Sequence, residues 1–249
     1  MRGRRSGAMI IAGCLMLALS ACSPAAVQKV ENLQNDIPGI GNSGLRVHAV
    51  RSIKSITIHR VAVMPLIDYP GITERNAIQP GAAQSLTAQL YSQMQLAGGW
   101  EMVPEEDVIN AMSKLPPTTR ENMERNALAL ARQVSADGVL YGTVHNYQDR
   151  IGTSFAASQP ASVAFTLMFD DVPKKREIWR AQFAKTQESL SRNAFDIVSW
   201  LHNQGRWVRA VDIATTGVRE AVSNLHSQLN LTPNAHYFAV PNELTPGPH

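Results

Sequence analysis

The pattern that decides the fold lies in residues 161–187, ASVAFTLMFDDVPKKREIWRAQFAKTQ. Apolar and polar residues alternate in both halves of this stretch, which is typical of strands that bury one face. Between the halves, residues 170–175 contain two aspartates, a proline and two lysines, and so predict a solvated hairpin turn. The positions predicted to face the core are Val163, Phe165, Leu167, Phe169, Trp179, Ala181 and Phe183.

A third strand, predicted over residues 139–147, extends this hairpin into an antiparallel meander. Further upstream, residues 56–66 (ITIHRVAVMPL) are rich in β-branched side chains and also predict a strand. Apolar residues recur at intervals of three and four over 81–97, which predicts a helix, and a short strand follows at 100–103. Because strand–helix–strand crossovers are right-handed, the two strands are expected to run parallel.

Four further helices are predicted, over residues 104–115, 118–134, 193–201 and 211–229. The order of elements is therefore β-α-β-α-α-β-β-β-α-α. This order predicts a mixed α/β (α+β) fold, with a mixed β-sheet of about five strands, a βαβ start and an antiparallel meander. Helices pack on the sheet, and the last of them is long.

The N-terminus has the pattern of a processing signal. Arg2, Arg4 and Arg5 precede an apolar run over 8–19, which is shorter than the about 20 residues that span a bilayer. The run ends in Leu19-Ser20-Ala21-Cys22, which is identified as a bacterial lipobox. The lipobox implies cleavage before Cys22 and a lipid anchor on its sulfur, and serine at position 23 implies the outer membrane. The alternative is an ordinary secretory signal with a chance cysteine.

The chain is therefore expected to have four parts. Residues 1–21 are a lipoprotein signal peptide, and 22–45, rich in glycine with two prolines, form a flexible lipid-anchored tether. Residues 46–235 form a single mixed α/β domain. Residues 236–249 form a disordered tail that contains three prolines.

Composition excludes several classes of function. The 249 residues are 44% hydrophobic and carry 23 basic and 20 acidic side chains, a net charge of +3. Removing Arg2, Arg4 and Arg5 with the signal leaves 20 of each, so nucleic acid is not an expected partner. The chain has two cysteines, Cys14 and Cys22, so the domain itself is expected to have no disulfide and no thiolate chemistry.

Catalytic motifs are missing from the sequence. It contains no G-x-S-x-G elbow, no S-x-x-K and no Walker loop. Gly39-Ile-Gly-Asn-Ser-Gly follows no predicted strand and opens no predicted helix, so it is assigned to the tether. We expect no catalytic residue, no cofactor and no metal site. For a tethered hydrolase, the pairing that remains is His145 with Asp170 or Asp171.

Residues 46–60 contain basic side chains and no acidic one. One interpretation is contact with an anionic surface such as lipid headgroups or an anionic polymer. The other is a solvated strand edge, where basic residues discourage aggregation. The residues concerned are Arg46, Arg51, Lys54 and Arg60.

Three phrases of the sequence match one group of bacterial proteins. They are RVAVMPL at 60–66, ADGVLYGTV at 136–144, and Asp170 followed after a turn by EIWRA at 177–181. The chain resembles the periplasmic cores of curli-secretion lipoproteins, lipoprotein activators of penicillin-binding proteins, and the N-terminal domain of the Tol translocation protein. This resemblance spans residues 56–229. It implies the same fold, no active site and binding to other envelope proteins.

One departure from that group disfavours a pore. A membrane-spanning strand takes about 9 to 11 residues, and the connection at 148–160 is too short and too polar for such a hairpin. The preferred hypothesis is a non-enzymatic outer-membrane lipoprotein that binds envelope proteins, as an assembly or secretion accessory or a peptidoglycan-synthase activator. A tethered envelope hydrolase and a self-assembling ring lipoprotein are the alternatives.

Overall fold

The computed structural model describes residues 44–69, 78–152, 157–187 and 208–232. In these ranges the helices are α1 (Ala82–Ala97), α2 (Glu105–Met112), α3 (Met123–Gln133) and α4 (Ala210–Gln228), with a 3-10 turn at Ile53–Ser55. The strands are β1 (Gly44–Ala49), β2 (Arg60–Val63), β3 (Ile67–Asp68), β4 (Glu101–Met102), β5 (Gly138–Gln148), β6 (Ile151–Gly152), β7 (Ala157–Gln159), β8 (Ser162–Asp171) and β9 (Arg176–Thr186).

One mixed sheet organises the described residues. Its strand order is β1-β9-β8-β5-β2-β4, and β3 also pairs with β5. Strand β2 runs parallel to β4 and β5, whereas β5, β8, β9 and β1 pair antiparallel in turn. The mixed α/β fold with a βαβ start and a meander is therefore confirmed. The sheet has seven strands instead of about five, and β6 and β7 form a separate small ladder.

The predicted core of the hairpin packs on one face of the sheet. Phe165 pairs with Phe183 and Phe169 with Trp179, so alternation places all four side chains on the same face. The rings of Phe165 and Phe183 stack with centroids 5.1 Å apart. Helices α1 and α4 cover this face, and their buried residues join the same apolar cluster.

Helices α2 and α3 cover the other face. Val139 and Tyr141 of β5 pack there against Val108 of α2 and Leu130 of α3, in a second apolar cluster. The central strand β5 is buried on both faces from Gly138 to Tyr147, although it includes the polar residues Thr143, His145 and Asn146. A three-layer arrangement results, with helices on both sides of the sheet.

Strands β5 and β8 approach unusually closely at Gly142. A Cβ atom at this position would lie 2.2 Å from the carbonyl oxygen of Thr166. Glycine is therefore required there by the approach of the neighbouring backbone.

The structure corrects the expected turn between β8 and β9. Asp170 and Asp171 do not lie in a solvated turn, because the ladder continues to the pair Asp171–Arg176 and both aspartates are buried. The turn itself covers residues 172–175. A register shift between Phe169 and Asp170 accompanies this extension.

Strand β1 is an element that the sequence analysis did not predict. It includes Gly44 and Leu45, which we expected at the end of the tether. The signal peptide, most of the tether including Cys22, the predicted helix at 193–201 and the tail at 236–249 lie outside the described residues. Within the described ranges, no helix has the length and apolar character needed to cross a membrane.

Candidate binding surface

His145 lies at the bulge in β5 and has a structural environment. Its side chain is 4% exposed. Nδ1 lies 3.3 Å from the carbonyl oxygen of Tyr69, and Nε2 lies 3.1 Å from Thr143 Oγ1 and 2.9 Å from Thr166 Oγ1. Because a carbonyl oxygen only accepts, Nδ1 donates to Tyr69. In that tautomer Nε2 has one lone pair and accepts from one of the two hydroxyls at a time. Both ring nitrogens are thus engaged inside the fold.

Asp170 is buried at the opposite end of the same sheet. Its side chain is 0% exposed, and Oδ1 accepts a hydrogen bond from the hydroxyl of Tyr141 at 3.1 Å. Burial raises the pKa of Asp170 to about 7; the Tyr141 hydrogen bond lowers it, and the nearby Glu124 and Glu177 raise it further. Burial likewise raises the pKa of Tyr141. Burial therefore favours the protonated form of the Asp170 carboxyl group relative to that of an exposed aspartate.

The structure does not bring His145 and Asp170 together. Asp170 pairs with Val139, and His145 follows Val144 on the same strand. Six residue steps along a strand of about 3.3 Å each separate the two positions by roughly 20 Å. Asp171 lies beside Asp170, and its carboxylate contacts Lys174 within the hairpin. The pairing considered for a hydrolase is therefore not assembled.

The four predicted basic residues also separate. Arg46 is in β1 and Arg60 in β2, with three strands between them. At about 4.8 Å per strand the two backbones are roughly 19 Å apart. The guanidinium of Arg60 bonds to the carboxylate of Glu101, so its charge is balanced on the β4 side of the sheet.

Arg46, Arg51 and Lys54 remain as exposed cations at the β1 side. Arg46 projects from β1, and Arg51 and Lys54 lie in the connection that follows it. Among the described residues, no ion pair involves any of the three.

Strand β1 is the edge of the sheet, and its backbone has a defined outward side. The amide of Val50 donates to the carbonyl of Ile178 at 3.0 Å, and the register is continuous from Gly44 to Ala49. Hydrogen-bonded pairs alternate in an antiparallel ladder, so Arg46 and His48 also bond to β9. The N–H and C=O groups of Leu45, Val47 and Ala49 therefore point away from the sheet, where no described strand pairs with them.

The two faces of β1 differ in chemistry. Arg46 and His48 are exposed on one face, opposite Gln182 and Arg180 of β9. Leu45, Val47 and Ala49 alternate with them and face the apolar side. Val47 is 37% exposed and is one of four large apolar side chains that are exposed among the described residues.

A separate polar cavity of about 350 Å³ lies where α1 and α4 begin. Asp149 lines it, and Oδ1 accepts from the amide of Ala210 at 3.0 Å while Oδ2 lies 3.2 Å from Arg209 Nε. Burial acts to raise the pKa of Asp149, but the amides of Ala210 and Arg150 and the Arg209 guanidinium outweigh it and hold the pKa below its usual value. The first turn of α4 is thus already supplied with an anion by the chain itself.

In the part of the chain that the structure describes, no group of three or more His, Cys, Asp and Glu side chains is placed to hold a metal ion. The surface that sequence reasoning missed is the edge of β1. Its signal was the alternation Leu45-Arg46-Val47-His48-Ala49, directly after the glycine-rich stretch.

Similar solved structures belong to bacterial proteins. A dodecamer of PelC from Paraburkholderia phytofirmans is 18% identical and matches over 76% of this chain and 97% of its own, with a TM-score of 0.42. Lipoprotein GNA1162 from Neisseria meningitidis is 17% identical over 59% of this chain and 96% of its own, with a TM-score of 0.38. LpoB from E. coli is 16% identical and matches over 52% of this chain and 57% of its own, with a TM-score of 0.37.

No protein-family model matches the chain, and no curated protein matches it. The likeness to these structures concerns the fold alone.

Proposed function

We propose that this chain is a lipoprotein of the bacterial envelope that binds other envelope proteins and is not an enzyme. Cys22 carries the lipid anchor, and residues 22–43 link it to the described domain. The anchor lies in the outer membrane with the domain on the periplasmic side. Three acyl chains hold a protein stably, because each buried CH₂ adds about 0.8 kcal/mol and a single chain is marginal.

The open edge of β1 is the observation that carries the proposal. The pair considered for a hydrolase, His145 and Asp170, is buried at opposite ends of the sheet, and each side chain is bonded to a neighbouring strand. In contrast, β1 offers backbone groups and exposed side chains to a partner. It also lies directly after the tether, at Gly44.

The proposal is tested by anchoring and capture in living cells. Native chain, Cys22→Ala and Cys14→Ala are compared for incorporation of labelled palmitate and for sedimentation with outer membranes. Cys14 lies upstream of the predicted cleavage site, so Cys14→Ala is the matched control. We expect the native chain and Cys14→Ala to be acylated and membrane-bound, and Cys22→Ala to be neither.

Crosslinking in the same cells then asks what the domain binds. We expect the anchored forms to recover a defined set of other envelope proteins, which the Cys22→Ala form recovers less well. Recovery of copies of this chain alone would contradict the proposal and favour a self-assembling ring. Acylation that persists in Cys22→Ala would contradict the proposed anchor.

A further inference from the structure

We propose that the open edge of β1 binds an extended partner segment by β-strand addition, and that this segment alternates acidic and apolar residues. The inference rests on the proposed function, because it names how the domain would hold an envelope protein.

The backbone of β1 is complete enough for such pairing. The strand has six residues in continuous register, with no proline and no bulge. Leu45, Val47 and Ala49 each direct an N–H and a C=O outward, as the alternation of the ladder requires. An added strand gains main-chain hydrogen bonds along this edge, and these supply affinity without regard to sequence.

The side chains of β1 select the partner. An added strand places alternate residues beside Arg46 and His48 on one face, and beside Val47 on the other. Arg51 and Lys54 extend the positive charge beyond the end of the strand. Because opposite charges across neighbouring strands stabilise a pair and like charges destabilise it, the first set of partner residues is acidic and the second apolar.

A second copy of this chain fits the edge less well. Antiparallel pairing of two β1 strands around Val47 would place Arg46 of each copy opposite His48 of the other. Both side chains are basic and neither is acidic, so this pairing offers no attraction between opposite charges. The charge on β1 therefore opposes self-association and leaves the edge available to an acidic segment.

The test uses the full-length chain in detergent and a fluorescent synthetic peptide that alternates Glu and Val. A peptide that alternates Lys and Val is the control probe. We expect the Glu peptide to change fluorescence anisotropy in a saturable titration and the Lys peptide to bind at least about tenfold more weakly, because its charges face Arg46. Equal binding of the two peptides would overturn the inference.

Charge and backbone are then varied separately. Arg46→Glu should weaken binding of the Glu peptide about tenfold, whereas Lys114→Glu, the same charge change at an exposed site after α2, should change it less than about twofold. Two further peptides are N-methylated, one at all its Glu amides and the other at all its Val amides. One of these two peptides should lose binding, and the other should bind as the unmodified peptide does. Methylated Val amides should be the damaging set in antiparallel pairing, and methylated Glu amides in parallel pairing.

Two results would overturn strand addition: equal effects of Arg46→Glu and Lys114→Glu, or peptide binding that tolerates both methylation patterns. Failure of the inference is distinguishable from failure of the proposed function. If Val47→Pro leaves the envelope proteins crosslinked in cells, the function stands and the β1 mode is wrong. If the native chain captures no envelope protein, the function itself is wrong.

Discussion

The two edges of the sheet are built differently. Strand β4 forms one edge with two residues, Glu101 and Met102, and Pro104 and helix α2 follow almost at once. Strand β1 forms the other edge with six residues and an unbroken register. Glu101 is bonded to Arg60, whereas Arg46 has no described ion pair.

Proteins usually protect sheet edges by shortening them, by proline or a bulge, or by charge. The β4 edge is protected by its short length, and a proline follows it closely. The β1 edge is protected by charge, and no strand of the described residues pairs with its outward backbone groups. The difference indicates that β1 is the edge on which a partner can be added.

The largest expected effect separates the inward and outward amides of β1. His48→Pro removes an N–H that bonds to β9 and should cost more than about 1 kcal/mol of unfolding free energy. Val47→Pro removes an outward N–H and should cost less than about 1 kcal/mol, since proline is tolerated on the open side of an edge strand. Urea unfolding of the two variants measures the difference. Equal losses would show that the assigned outward side is wrong.

A second variant tests how the β1 side of the sheet is supported. A Cβ at Gly217 of α4 would lie 2.7 Å from the ring of Phe183 in β9. Gly217→Ala should therefore destabilise the domain by about 1 to 3 kcal/mol, although alanine favours helix. Thr216→Ala, at the exposed neighbouring position, is the control and should change stability by less than about 0.5 kcal/mol. A stabilised Gly217→Ala protein would contradict this packing.

The third prediction concerns the middle of the sheet, between the two edges. The pKa of Asp170 is raised from 3.8 to about 7, so the folded state binds this proton more tightly than the unfolded state. The stabilisation that this bound proton provides is therefore lost as pH rises through 7. The unfolding free energy should fall by about 1 kcal/mol between pH about 6 and about 8.

Asp170→Asn should remove this part of the pH dependence, because an amide does not titrate. Asp107→Asn, at an exposed site on α2, is the matched control and should retain it. Urea midpoints measured across this pH range give the dependence of stability on pH for each variant. An unchanged slope in Asp170→Asn would mean that another group titrates.

The smallest effect is expected at the β4 edge. Glu101→Gln removes the charge that faces Arg60, but the Glu101 side chain is 64% exposed. Exposed ion pairs contribute about 0 to 1 kcal/mol, so unfolding free energy should fall by less than about 1 kcal/mol. A loss above about 2 kcal/mol in thermal or urea unfolding would show that this edge depends on the pair.

The sequence predicted the layers of the fold well, because their signals are local. Alternation in residues 161–187 placed Phe165, Phe183 and Trp179 on one face, and the helical repeat over 81–97 matched α1 closely. These patterns depend on neighbouring residues and need no knowledge of distant partners.

The candidate surface could not be predicted in the same way. Strand β1 forms only by pairing with β9, more than a hundred residues later, and the glycines before it indicated a tether. Asp170 and Asp171 favour turns locally, but Tyr141 on a different strand supplies a hydroxyl that allows Asp170 to be buried. Long-range contacts therefore decided both outcomes.

The most direct test of the account is amide hydrogen exchange of the full-length chain, read residue by residue along β1. We predict that the amides of Arg46, His48 and Val50, bonded to β9, exchange slowly, and that those of Val47 and Ala49 exchange fast. Slow exchange at Val47 and Ala49 in the free protein would mean that the edge is already covered. That result would contradict the claim that β1 is open to a partner.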